Sequence, residues 1–186
     1  NPITIKDAVT MSCGLPYCMV PDIKSKEPII AAMSKELMAI SKDRVPTLRE
    51  EVRAISKVPV LFEPGTHWLY GFGSEITGAI VEEVTGKSLR KVFYERLIDP
   101  LGLKNTGTYI NDENKKQIVS NYVKNSDGSF TKLAKNSDFA FYKDISPEKA
   151  RVNLLASATD FAIFMQMLAQ GGTYKKERYL GRKTVD

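Results

Sequence analysis

The chain has 186 residues, enough to bury a core, and its 42% hydrophobic and 26% charged content is ordinary for a globular protein. Its net charge of +5 comes from basic residues interleaved with acids, as in Lys42-Asp43-Arg44 and Arg49-Glu50-Glu51-Val52-Arg53. That pattern is a solvated surface and excludes a phosphate-tracking stripe for nucleic acid. No apolar run approaches the roughly 20 residues of a transmembrane helix. Cys13, Cys18 and the single histidine, His67, do not make a zinc set, so the thiols read as free and no metal or cofactor is expected.

Helix signals dominate along the chain. Thr4-x-x-Asp7 reads as a capping box opening a short helix, with Gly14 as its stop. Pro16 to Pro28 reads as a loop. Ile29 to Ile40 carries Ile30, Met33, Leu37 and Ile40 at helical spacing. Thr47-x-x-Glu50 opens another amphipathic helix through Val52 and Ile55, ended by Pro59. Ser74 to Val84 places Ile76, Ile80 and Val84 on one stripe expected to be buried, with Gly86 as the terminating glycine. Ser88 caps a further helix through Val92, Phe93 and Leu97, stopped by Asp99-Pro100 and Gly102. Ile118 to Lys135 alternates around Asn125-Ser126-Asp127-Gly128, a hairpin signal. Ser157-x-x-Asp160 opens the last helix, on which Phe161, Phe164, Met165 and Leu168 are expected to face one way until Gly171-Gly172. The prediction is one mostly α unit over residues 1–186 with a small β-hairpin. The chain opens at Asn1-Pro2-Ile3-Thr4 and stops at Val185-Asp186 within patterned sequence, so it is expected to be an internal piece of a longer protein.

The most informative stretch is Phe62-Glu63-Pro64-Gly65-Thr66-His67-Trp68-Leu69-Tyr70-Gly71. Proline sets its own φ near −65° and glycine supplies a positive φ, so Pro64-Gly65 predicts a turn with little freedom. A rigid turn followed by a packed Trp68 and then Tyr70 would hold one phenol in one place.

This stretch resembles the Pro-Gly-Thr-x-Trp-x-Tyr signature of the β-lactamase-related serine hydrolases, which include class C β-lactamases, D-Ala-D-Ala carboxypeptidases and esterases. The resemblance runs nearly end to end. Pro2-Ile3-Thr4-Ile5-Lys6-Asp7 with Ser12-Cys13-Gly14-Leu15-Pro16 looks like that family's helix and Ser-Gly-Leu loop. Thr77 to Ser88, Asp99-Pro100-Leu101-Gly102-Leu103-Lys104-Asn105-Thr106, Ala156-Ser157-Ala158-Thr159-Asp160 and Gly171-Gly172-Thr173-Tyr174 are similar to its later segments. The resemblance implies the helical subdomain of an α+β β-lactamase/transpeptidase-like fold. It implies acyl-enzyme chemistry in which a serine beside a lysine attacks a carbonyl and a tyrosine takes the serine's proton. By resemblance Tyr70 is that general base. Tyr17, Cys18 and Phe72 border the substrate, and the partner is a small-molecule or peptide acyl compound: a β-lactam, a D-alanyl peptide or a small ester. Relatives directed at the cell wall are usually exported.

Three departures qualify the likeness. The family's Ser-x-x-Lys and its final Lys- or His-bearing strand are not matched within these residues, so the segment alone is expected to be inactive. Tyr70-Gly71-Phe72 stands where the family often has Tyr-x-Asn or Tyr-Ser-x; the loss of the asparagine amide removes a donor and shifts the reading from β-lactams towards esters or peptides. Ala150-Arg151-Val152-Asn153-Leu154-Leu155 replaces an expected glycine-rich wall. Ser88-Leu89-Arg90-Lys91, Ser129-Phe130-Thr131-Lys132 and Ser146-Pro147-Glu148-Lys149 match Ser-x-x-Lys only as strings and read as a cap, a hairpin residue and a pre-proline serine. His67 without a Gly-x-Ser-x-Gly elbow excludes a Ser-His-Asp triad here. The competing reading is a non-catalytic helical binding module related to penicillin-binding proteins. Oligomeric state is left open.

Overall fold

The computed structural model describes residues 2–18, 22–42, 44–109, 116–133 and 154–186. Part of the Pro16 to Pro28 loop, Lys135 at the end of the expected hairpin, the Ser146-Pro147-Glu148-Lys149 string, and residues 150–153 of the expected wall lie outside them. What reads as one unit in the sequence forms two compact units, Asn1–Leu89 and Arg90–Asp186.

The first unit is built on four helices: α1 (Ile5–Val9), α2 (Pro28–Ile40), α3 (Leu48–Ile55) and α4 (Gly73–Thr85). Thr4 and Asp7 close the expected capping box on α1, and Thr47 with Glu50 does the same on α3. α1 stops at Val9, well before Gly14, through a Thr10 cap and a left-handed Met11. Gly14 is needed for another reason. Its φ is +77°, and a Cβ there would lie 2.9 Å from the Phe62 carbonyl oxygen. α2 starts on Pro28, whose missing N–H is one of the orphan donors of a first turn. The core joins Cys13, Leu15, Met33, Leu37, Ile55, Val58 and Phe72.

α4 corrects the expected stripe. Its buried residues are Gly73, Gly78 and Ala79; Ile76 packs half-buried on the core, and Val84 is 80% exposed. Small residues, not the branched ones, face inward because the helix starts hard against α1. A Cβ on Gly73 would run into the Ala8 carbonyl and come 2.9 Å from Met11 Sδ. Gly86 ends the helix in the left-handed conformation, as the sequence predicts.

The second unit opens with helix that ends at Gly102, the later of the two stops the sequence offers. α5 (Leu89–Phe93) runs into a π turn (Tyr94–Ile98) and then α6 (Asp99–Leu101), so Asp99-Pro100 lies inside the run and only Gly102 stops it. Proline has no N–H and crowds the carbonyl one turn back. The widened turn before it, with Asp99 N–H bonded to the Tyr94 carbonyl, accommodates the ring. α7 (Ala158–Ala169) is capped by Ser157, and α8 (Arg182–Val185) is a short piece that the sequence did not signal. Among the described residues three antiparallel pairs complete the unit: β1 (Thr106–Gly107) with β4 (Leu155–Ala156), β2 (Tyr122–Lys124) with β3 (Phe130–Lys132), and β5 (Thr173–Tyr174) with β6 (Glu177–Arg178). Only the β2–β3 hairpin was legible, and Gly128 at φ +85° makes its turn.

The face of α7 is also rotated from expectation. Ile163, Phe164, Met167 and Leu168 pack on Ile98, Leu101 and Leu103, whereas Phe161 is 57% and Met165 46% exposed. Asp160 sets the rotation. Its Oδ2 accepts the Asn105 N–H at 2.7 Å and the Thr106 hydroxyl at 2.9 Å, so the buried stripe begins at Asp160 rather than Phe161.

Candidate functional site

The Pro-Gly turn forms as its residues dictate. Thr66 N–H bonds to the Glu63 carbonyl at 3.2 Å, and Gly65 takes φ +84°, which places the required positive φ at the third turn position. Beyond it the chain runs alongside Met11–Pro16. Gly65 N–H bonds to Ser12 O and Leu69 N–H to Met11 O, both at 2.9 Å, and Phe72 N–H to Leu15 O at 3.3 Å. Pro16 and Gly71 form an antiparallel bridge. On the same segment, Leu61 N–H bonds to Gly14 O at 2.9 Å. Tyr70 is therefore carried on backbone that is pinned on both sides.

Gly71 has a steric reason to be glycine. A Cβ there would drive into the Leu15 carbonyl oxygen and lie 2.9 Å from its carbon. The position needs glycine because two backbones touch, not because of a positive φ.

The ring of Tyr70 is 58% exposed. Tyr17 meets it with centroids 5.4 Å apart at 63°, a T-shaped contact. Behind Tyr17 lies Phe72, centroids 5.6 Å apart. Phe72, expected at the substrate surface, is itself 5% exposed and belongs to the core, so its ring backs Tyr17 instead of facing solvent. Cys18 is half-buried against the same core with its sulfur 3.5 Å from Ser34 Oγ, and both cysteines are free thiols. The fold thus brings Tyr17 to Tyr70 and turns Cys18 and Phe72 inward. Trp68, expected to be packed, is 70% exposed; the aromatic contact in the turn is instead Phe62 on His67, at 5.2 Å. His67 Nδ1 is 2.8 Å from the Thr66 hydroxyl, a local turn bond.

The capping pattern predicts only a helix-start part for Asp7. Its carboxylate also accepts from Ser12 and stands 3.1 Å from where a Cβ on Gly65 would be, so it underlies the turn as well as the helix. The Thr4 hydroxyl, foremost, holds its carboxyl below the ordinary Asp range. Among the described residues no group of three or more His, Cys, Asp or Glu is placed to hold a metal ion, and no helix is long and apolar enough to cross a membrane.

Fold and site together define a helical frame that presents one fixed, exposed phenol beside a second aromatic. The family model described as Beta-lactamase matches residues 1–184, and the chain belongs to the beta-lactamase family. It is 35% identical over 109 residues to lovastatin esterase of Penicillium rubens, covering 59% of this chain and 25% of that protein. It is 35% identical over 82 residues to teichoic acid D-alanine hydrolase of Staphylococcus aureus, covering 44% of this chain and 21% of that one. Among solved structures, EstCE1, a hydrolase with promiscuous acyltransferase activity, superposes with a TM-score of 0.68 at 21% identity over 99% of this chain and 49% of its own. The chain spans less than half the length of each of these relatives.

Proposed function

We propose that this chain is the tyrosine-bearing helical part of a serine hydrolase that forms and hydrolyses an acyl-enzyme, with a small ester as the preferred substrate class and Tyr70 as general base. The attacking serine and its lysine come from outside residues 1–186. The lysine's charge favours the phenolate of Tyr70, which accepts the serine proton as Oγ adds to the ester carbonyl carbon. The alcohol leaves with a proton, and water then releases the acid from the acyl-serine.

The observation that carries this reading is the placement of Tyr70: exposed, yet fixed by paired backbone on both sides and by the T-shaped contact with Tyr17. A tyrosine serving only to fill the core would be buried. Ester over β-lactam is favoured because Phe72 occupies the position of the missing amide and is turned into the core. The relatives named as an esterase and a D-alanine hydrolase support an acyl bond as the target.

The test uses the full-length parent protein and a p-nitrophenyl ester. Tyr70→Phe is expected to lower the rate by about 10²-fold or more, while a fluorophosphonate labels the wild type covalently. An unchanged rate in Tyr70→Phe removes the assignment. A full-length protein that neither turns over ester nor takes the label points to a binding module.

A further inference from the structure

Asp7 makes more contacts than a helix cap requires. One carboxylate oxygen, Oδ2, accepts the Thr4 N–H at 2.8 Å and the Thr4 hydroxyl at 2.6 Å, which completes the cap of α1. The other, Oδ1, is turned the opposite way. The Ser12 hydroxyl, 2.9 Å from the Thr10 hydroxyl, lies 3.4 Å from Oδ1 and equally from the Asp7 carbonyl oxygen, and Oδ1 is the atom nearest to a Cβ built on Gly65. The Asp7 main-chain carbonyl accepts the Ser12 N–H at 2.8 Å as well. Asp7 is only 9% exposed.

Ser12 is where this matters. Its carbonyl receives the Gly65 N–H, and the carbonyl of the preceding Met11 receives that of Leu69, the residue before Tyr70. Five residues on, the same segment delivers Tyr17 against the Tyr70 ring. A carboxylate that touches the α1 start, Ser12 and the underside of the Pro-Gly turn stands at one end of the frame that holds both phenols.

We propose that Asp7 is a positioning residue for Tyr70: it locks Ser12 and the Gly65 turn so that the phenol stands in its working place. The proposal rests on the reading of Tyr70 as general base. Removing the carboxylate frees the α1 start, Ser12 and the underside of the turn together. A displacement of about 1 Å at a reacting group can cost on the order of 10²-fold in rate.

The experiment measures ester hydrolysis by the full-length parent at a temperature where far-UV circular dichroism shows every variant folded. Asp7→Ala is expected to lower kcat by roughly 10-fold or more with KM changed by less than about 2-fold, since the loss is of alignment and not of substrate contact. In a Tyr70→Phe background the same substitution is expected to change the residual rate by less than about 2-fold, because there is no base left to misplace. Asp7→Asn, which keeps the shape and one acceptor oxygen, is expected to fall between wild type and Asp7→Ala, and it decides the matter if the alanine variant does not fold. A full kcat in Asp7→Asn and Asp7→Ala, or an equal loss with and without Tyr70, overturns the role of Asp7 while leaving Tyr70 as base. A Tyr70→Phe enzyme at full rate overturns the underlying reading and this role with it.

Discussion

Gly71→Ala isolates the close backbone approach that holds the Tyr70 segment. Gly71 has no positive φ, so alanine meets no conformational penalty there; the whole effect is steric. The new Cβ would lie 2.9 Å from the Leu15 carbonyl carbon, with the oxygen nearer still, whereas nonbonded carbons rest at about 3.5–4 Å. The oxygen sets the demand: to bring it out to an ordinary contact the two segments must part by more than about 1 Å. The Phe72 N–H to Leu15 O bond, already 3.3 Å, does not survive such a shift. Its loss costs about 1 kcal/mol, and the overpacking adds about 1–3 kcal/mol. At roughly 2–4 °C per kcal/mol for a chain of this size, the melting midpoint should drop by about 5–15 °C. Thermal unfolding followed by far-UV circular dichroism reads this directly. Gly86→Ala is the control: φ is +65° with nothing within 4 Å, so only the left-handed penalty of about 1–2 kcal/mol applies. A Gly71→Ala protein that melts with the wild type, or above Gly86→Ala, would refute the argument that the two backbones touch.

Three further outcomes are expected. Thr108 is 1% exposed, and its hydroxyl is buried with no hydrogen-bond partner among the described residues; Thr108→Val should therefore leave the urea midpoint unchanged or raise stability by about 1 kcal/mol, and a clear loss would reveal a partner. Lys175 and Lys176, at φ +48° and +70°, form the two-residue loop between β5 and β6, a turn type that favours Asn-Gly; Lys176→Gly should stabilise by about 1 kcal/mol in the same assay, and no gain would deny the strain. Asp7, Glu50 and Asp127 have carboxyls held below their ordinary values chiefly by the Thr4 hydroxyl, the Arg44 guanidinium and the Ser129 hydroxyl respectively. Folded values below the unfolded ones mean stability that is complete above about pH 5 and is lost as pH falls through about 4 and below. Glu50→Gln should flatten that acid decline in a melting series, and an unaltered decline would exclude Glu50 as a contributor.

Local chemistry was legible in the sequence wherever a short pattern settles its own geometry. The two capping boxes, the Pro64-Gly65 turn, the Gly86 stop and the Asn125 to Gly128 hairpin all depend on residues within four positions of each other. Tyr70 was reached because the turn delivers it at a fixed offset. What failed depends on which surfaces meet. Periodicity alone left α7 one residue out of rotation, because Asp160 is drawn in by backbone and hydroxyl donors more than 50 positions away. Val84 and Trp68 are exposed although apolar, since no stripe or motif says which side of an element finds a neighbour.

The sequence by itself determined a mostly helical chain with one stiff turn presenting a tyrosine, because φ preferences and capping bonds act over a few residues. Only the tertiary structure decided that this tyrosine stays in solvent beside Tyr17, that Phe72 and Cys18 turn inward, and that Asp7 lies beneath the turn. Those outcomes come from pairing Met11–Pro16 with Gly65–Phe72, and contacts between segments some 50 residues apart leave no periodic trace in the chain.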